Sequence, residues 1–336
     1  MVLKIIDDEK AIKKYAQQFA RKFKPFLSEQ IKVKLGHQGA GFPAKVSWSK
    51  KLGIWIFSRP MKNIRYWNAF GMDKPQPGAP LSITAEINFP WTGIDRKTGA
   101  AFAEDARRNI FVVHRGKIGG GKKGVGKSLF EHSYRGVWSQ MEDGDCLSQV
   151  AIIGVLNSPR LALQTAQFVK KIDMLKSAAA PSRQTEIDFS EITFREDLVG
   201  NLPSSGIADV HAQCDRDLVI SHLAELLRRW KFKTGNDDGH ELFLVDTVKN
   251  RISHIFAVPV DNEEQSVLAA AAKLLLQTTD NGRNIQPFII LPEKEMTIYA
   301  PLLKKIGIDA IGFRLEEERI TFPELGKITL DQNQQL

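Results

Sequence analysis

Apolar and polar positions along the chain fall into stretches of helical and of strand period. Between Asp7 and Phe23, the residues Ile12, Tyr15, Ala16, Phe19 and Phe23 share one stripe among Lys and Arg. That spacing predicts an amphipathic helix that stops before Pro25, which cannot continue it without strain. Residues 45–48 and 54–57 read as two strands joined across 49–53 like a hairpin. Residues 82–88 alternate, 109–114 form a short β run, and 149–156 make an apolar strand or buried segment. Helical period returns over 161–175, where Leu163, Ala166, Phe168, Val169 and Ile172 are apolar. The first part of the chain therefore reads as a mixed, β-rich domain closed by a helix.

Residues 177–183 (SAAAPSR) combine small side chains with a Pro, and 200–206 are a second weak spot. The expected organisation is a first domain over 1–176, a linker over 177–205, a second domain over 206–325 and a tail over 326–336, disordered from 331. The second domain opens on a strong helix over 217–230, with Leu218, Val219, His222, Leu223, Leu226 and Leu227 toward one side. Strands over 241–245 and 252–260, a helix over 265–276, a strand over 287–291, a helix over 298–306 and a strand over 310–313 follow. The order α-β-β-α-β-α-β predicts an α/β sandwich around a small mixed sheet. The fold class expected overall is α+β and α/β.

Charge sharpens the division. Residues 1–180 hold 30 Lys and Arg against 14 Asp and Glu, a balance of +16, and residues 181–336 hold 17 against 25, a balance of −8. An asymmetry of this size suits a first domain that meets a polyanion and an acidic second domain that docks other proteins or the basic domain. Trp48, Trp55, Trp67, Trp91 and Trp138 lie in the first domain and Trp230 in the second. Aromatics among cations suit base stacking beside phosphate neutralisation, with core packing as the other use of a Trp. The segments Tyr66–Gly71 and 88–93 (NFPWTG) read as loops presenting rings, or as rings packed inward. No apolar run reaches spanning length and the N-terminus lacks a signal-peptide core, so no membrane is expected. Cys146 and Cys214 lack metal-ligand spacing, which points to a reducing, cytoplasmic setting.

The loudest motif is Gly119-Gly120-Gly121-Lys122-Lys123-Gly124-Val125-Gly126-Lys127-Ser128. Its last eight residues satisfy G-x-x-x-x-G-K-[ST], in which glycines let backbone N–H groups face phosphates, the Lys neutralises charge and the Ser holds Mg²⁺. The motif lacks a strand that feeds it directly, and no parallel β-α series surrounds it. With Arg115 and Lys117 it places five cations within thirteen positions, which suits a cationic loop on a phosphate backbone. The DNA contacts expected are Arg115, Lys117, Lys122, Lys123 and Lys127. The alternatives are a solvated surface turn and an NTPase that takes ATP or GTP with Mg²⁺ at Gly121–Ser128. His114, Glu131, His132, Asp95, Glu104 and Asp105 lie nearby without the spacing of a ligand set.

Residues about 206–315 resemble the PD-(D/E)XK nuclease-like fold of restriction and repair enzymes. The resemblance rests on the leading helix, Asn236-Asp237-Asp238, the hairpin that holds Leu242–Asp246, the next helix and the late strand Phe288-Ile289-Ile290-Leu291-Pro292. It implies carboxylates that hold Mg²⁺ and a Glu-x-Lys strand whose Lys activates water. Here Ala257 stands where the Glu belongs and Pro259 where the Lys belongs. Asp238, Glu241 and Asp246 remain for metal, with Glu225 as a further carboxylate and Lys249 or Lys273 as a migrated Lys. The expectation is a DNA-binding protein, on double-stranded DNA, whose nuclease-like domain has lost catalysis and serves in a multi-protein system acting on foreign or mobile DNA or in recombination. A Mg²⁺-dependent endonuclease with a rearranged site around Asp238, Glu241 and Asp246 is the alternative enzyme.

Overall fold

Asp8 sets the start of the first helix, its Oδ1 accepting the Ala11 N–H at 2.8 Å, and Ile12, Ala16 and Phe19 turn inward from it. The computed structural model describes residues 2–37, 40–119, 125–178, 192–200, 210–249, 251–261, 263–280 and 285–327. In chain order the elements are β1 (Val2–Ile5), α1 (Glu9–Arg21), β2 (Glu29–His37), β3 (Ala40–Ser49), β4 (Ile54–Met61) and β5 (Arg65–Gly71). Short strands β6 (Pro80–Leu81), β7 (Ala85–Glu86) and β8 (Phe89–Pro90) precede β9 (Ala100–Glu104) and β10 (Ile110–His114). Then come α2 (Lys127–Ser133), β11 (Val137–Asp143), β12 (Cys146–Val155), α3 (Leu161–Ala178) and α4 (Val210–Arg229). The last part runs β13 (Thr234–Gly235), β14 (Leu242–Asp246), β15 (Arg251–Ala257), α5 (Glu264–Asp280), β16 (Gln286–Pro292), α6 (Glu293–Lys305), β17 (Asp309–Leu315) and β18 (Ile320–Thr321). The chain is thus mixed α+β. No described helix is long and apolar enough to cross a membrane.

Described residues up to 178, with 210–211, form one compact unit, and 192–200 with those from 212 onward form a second. In the first unit β1, β11, β12, β10 and β9 close into a barrel, β1 running parallel to β11 and antiparallel to β9. A second sheet has the order β6-β2-β3-β4-β5-β7, with β8 also paired to β5. The apolar stripe of α1 packs through rings: Phe19 lies 5.2 Å from Phe89, and Phe89 stacks on Phe102 of the barrel at 4.0 Å. Residues 66–71 are not a loop but strand β5, with Tyr66, Trp67 and Phe70 buried.

β2 and β3 pair along nine positions, whereas β3 meets β4 only over Ser47–Ser49. Beyond Val46 the β2–β3 ribbon and the β4–β5 pair are therefore hydrogen-bonded separately. Ile31, Val33, Leu35 and Val46 share one core with Trp55, Phe57, Trp67 and Ala69.

In the second unit the sheet order is β13-β14-β15-β16-β17-β18. β14 is antiparallel to β13 and β15, and β16 is parallel to both β15 and β17. Leu242 to Asp246 are all buried, so neither face of β14 meets water. Val267, Ala271 and Leu274 of α5 and Leu303 of α6 pack with Phe243, Ile255 and Ile289. β15 stops at Ala257 rather than reaching 260, because Pro259 has no N–H for the ladder. Part of the expected linker is structured. The Arg195 N–H donates to Asn236 Oδ1 at 2.8 Å, and Ser221 Oγ donates to Glu196 Oε2 at 2.7 Å. Of the expected tail, 328–336 lie outside the described residues.

Candidate nucleic-acid interface

The glycine–lysine motif follows a segment that is rooted in the barrel from the end of β10 onward. At the end of β10, His114 is fully buried, and its Nδ1 accepts the Gly116 N–H at 3.0 Å. Its Nε2–H then donates to the Glu86 carbonyl at 3.2 Å, which fixes the neutral tautomer. Burial, aided by the charge on Arg115, lowers its pKa to about 4. Arg115 is buried as well, its Nε donating to Asp143 Oδ2 at 3.2 Å and its Nη1 to the Thr98 carbonyl at 3.3 Å. Arg115, expected among the DNA contacts, therefore lies inside the barrel and does not reach solvent. Gly116 has φ +82, and a Cβ there would lie 2.6 Å from the Phe130 ring.

Lys117 is exposed and donates to the Arg96 carbonyl at 3.0 Å. Ile118 and Val125 form an antiparallel bridge that brings the two ends of the motif together. The Gly119 carbonyl accepts from Lys176 Nζ at 2.8 Å. Gly120, Gly121, Lys122, Lys123 and Gly124 lie outside the described residues. Gly126 precedes α2, from which Lys127 and Ser128 are exposed, with Lys127 Nζ 3.4 Å from Glu131. Among the expected contacts that are described, Lys117 and Lys127 thus reach solvent and Arg115 does not. The surroundings differ from a nucleotide-binding P-loop. The preceding strand β10 is antiparallel to both neighbours, and α2 has only seven residues.

The nearby acid and imidazole groups serve turns and pairs. Asp95 accepts from the Lys97 N–H and Thr98 Oγ1, Asp105 caps the turn at Arg107 and Asn109, and Glu104 pairs with Arg108. Burial opposes ionisation of Asp95, but its hydrogen bonds outweigh that and hold its carboxyl below the usual range. Among the described residues no three His, Cys, Asp or Glu are grouped to hold a metal.

No Trp of the first unit stands in solvent. Trp55 and Trp67 are buried; Trp91 stacks on Tyr66 at 5.1 Å, Trp138 lies 5.5 Å from Phe130, and Trp48 packs on the sheet core. Trp55 and Trp67 thus serve the core, while Trp48, Trp91 and Trp138 are half-buried. Exposed cations that the motif reading missed lie on the sheet. Lys32 and Lys34 alternate with the buried Ile31, Val33 and Leu35, and Lys45 lies directly across from Lys32. The signal was the period-two pattern over 30–36, read with its Lys positions as an outward face.

In the second unit the three candidate carboxylates do not converge. Glu241 precedes β14 and Asp246 ends it, about 17 Å apart at about 3.3 Å per residue. Asp246 is buried and accepts the Val248 and Lys249 N–H groups at 3.0 and 2.9 Å, so it builds the turn into β15. Asp238 is exposed beside His240, whose ring meets Asp237 at 2.9 Å.

Glu241 is occupied by protein cations and an amide. Its Oε1 lies 2.5 Å from Arg216 Nη2 and 3.6 Å from Lys273 Nζ, and its Oε2 accepts the Val258 N–H at 3.0 Å. Arg216 also reaches Asp217 Oδ1 at 3.6 Å and donates to the Val258 carbonyl at 2.9 Å. A guanidinium thus stands between Glu241 and Asp217, beside the end of β15 at Val258. Glu225 pairs with Arg229 at 2.5 Å, and Lys249 lies 4.0 Å from Asp246.

Comparison with protein-family models, with curated proteins and with solved structures finds no match to this chain.

Proposed function

We propose that the chain binds double-stranded DNA through its basic first unit and that its second unit is a nuclease-like module without catalysis. The observation that carries the reading is the placement of Lys117 and Lys127. Both are exposed, on either side of the Ile118–Val125 bridge, within residues 1–180, which hold the +16 charge balance. The order α4-β13-β14-β15-α5-β16-α6-β17, with antiparallel strands before α5 and parallel strands after it, supports the PD-(D/E)XK-like reading of the second unit. Its lost catalysis follows from chemistry. Ala257 and Pro259 offer no ligand or base, and Arg216 already neutralises Glu241. The acidic balance of this unit suits docking to other proteins of an assembly that acts on foreign or mobile DNA or in recombination. Two free cysteines fit a cytoplasmic site of action.

Anisotropy of labelled duplex DNA against salt tests the reading, with the unaltered chain beside a Lys122→Gln, Lys123→Gln, Lys127→Gln variant. The log–log salt slope is expected to fall by about 2–3 in the variant. Absence of DNA binding by the unaltered chain would overturn the proposal. Mg²⁺-dependent nicking of plasmid DNA that Asp238→Ala abolishes would overturn the loss of catalysis.

A further inference from the structure

The outward face of the β2–β3 ribbon presents Gln30, Lys32, Lys34, Pro43 and Lys45, all exposed, while Ile31, Val33, Leu35 and Val46 fill the core behind it. The register sets Lys32 directly opposite Lys45, with Lys34 two residues along. Directly opposed like charges destabilise a strand pair, and among the described residues no carboxylate pairs with any of the three. The opposition of Lys32 and Lys45 is therefore unfavourable for strand pairing, and the row of three cations is complementary to a regular polyanion. β2 extends about 30 Å at about 3.3 Å per residue. The segment Gly78–Leu81 lies along β2 at Lys32–Leu35, and beyond Val46 the β3 side of the ribbon pairs with no other described strand.

We infer that this face is a second DNA contact, distinct from the glycine–lysine motif, in which Lys32, Lys34 and Lys45 neutralise phosphates of one duplex. The inference rests on the DNA-binding reading. B-form DNA is the fitting occupant because its major groove admits a two-stranded ribbon, whereas the A-form groove of an RNA duplex is too narrow for side chains to read. The core behind the ribbon holds it as one rigid surface, so the three ammonium groups act together.

The test uses the full chain and a Lys32→Gln, Lys34→Gln, Lys45→Gln variant, with labelled duplex DNA titrated at several salt concentrations. The salt slope is expected to fall by about 2–3, with an unchanged circular dichroism spectrum and a melting temperature equal to or above that of the unaltered chain. The corresponding three Lys→Arg changes are expected to keep the slope. If the unaltered chain binds DNA and the Gln variant keeps its slope, the ribbon contact is overturned and the DNA-binding reading stands. If the unaltered chain binds no DNA, both fall. If an RNA duplex binds as tightly through the same three lysines, the B-form assignment is overturned.

Discussion

Lys176, almost fully buried on α3, donates from its Nζ to the carbonyl oxygen of Gly119 at 2.8 Å. An ammonium held in the interior by a carbonyl acceptor ties the root of the glycine–lysine motif to the helix. Hydrogen bonds from charged groups contribute about 1.5–3 kcal/mol. Lys176→Met keeps the apolar stem, and is expected to destabilise the first unit by about 2 kcal/mol in urea unfolding. It is also expected to speed proteolysis within the motif; a variant cut no faster than the parent would remove Lys176 as its anchor.

His114 makes stability depend on pH. Its pKa is about 4 when folded, against an ordinary value of 6.5. The unfolded chain therefore binds the extra proton between those values, so stability is complete above about pH 6.5 and declines as pH falls toward 4. The loss is roughly 3 kcal/mol, from about 1.4 kcal/mol per pKa unit. Urea midpoints of the parent and of His114→Gln, measured from pH 7 to pH 4, are expected to show a shallower decline in the variant. Parallel curves would remove His114 as the cause.

Removing Arg216 leaves Glu241 and Asp217 without their shared cation in a largely dry setting. Breaking a buried pair by deleting one partner costs about 3–5 kcal/mol. Arg216→Met is expected toward the lower end of that range, and Lys273→Met, whose ammonium is nearly half exposed, below about 1 kcal/mol. Arg216→Met is also expected to show no Mg²⁺-dependent cleavage of plasmid DNA, because Ala257 and Pro259 remain. Cleavage would show that Arg216 masks a competent site.

Gly71 sits under the buried Trp55, whose indole occupies the space a Cβ would take. Gly71→Ala is expected to cost about 1–3 kcal/mol through overpacking, read as a lower melting temperature. An unchanged melting temperature would mean that the indole shifts freely.

Elements with a local period were legible in the sequence: the stripe of α1, the runs that became β10 and β12, and the alternation of helices and strands after residue 210. β5 was not, because Tyr66 to Gly71 are buried on both faces and so show no alternation. β1 was not, because its partners β9 and β11 lie about a hundred residues or more away and its four residues carry little pattern. The expected linker hid Arg195 and Glu196, whose partners Asn236 and Ser221 lie far along the chain. Of the candidate site, the exposure of Lys117 and Lys127 was legible as the ordinary placement of a charged side chain. Arg115 carries the same charge and is buried, because barrel closure brings Asp143 beside it. The pairing of Arg216 with Glu241 likewise depends on tertiary packing, though Lys32 and Lys34 stood in plain alternation.

The Ile118–Val125 bridge has a bearing on how this surface can vary. It joins the two ends of the motif at its base, and the entropy of closing the chain between such ends rises by only about 0.6 kcal/mol for each doubling of length. Lengthening the segment between the bridged residues is therefore expected to cost folding little, so the number of cations that the proposed polyanion contact offers could change without rebuilding the domain that carries it.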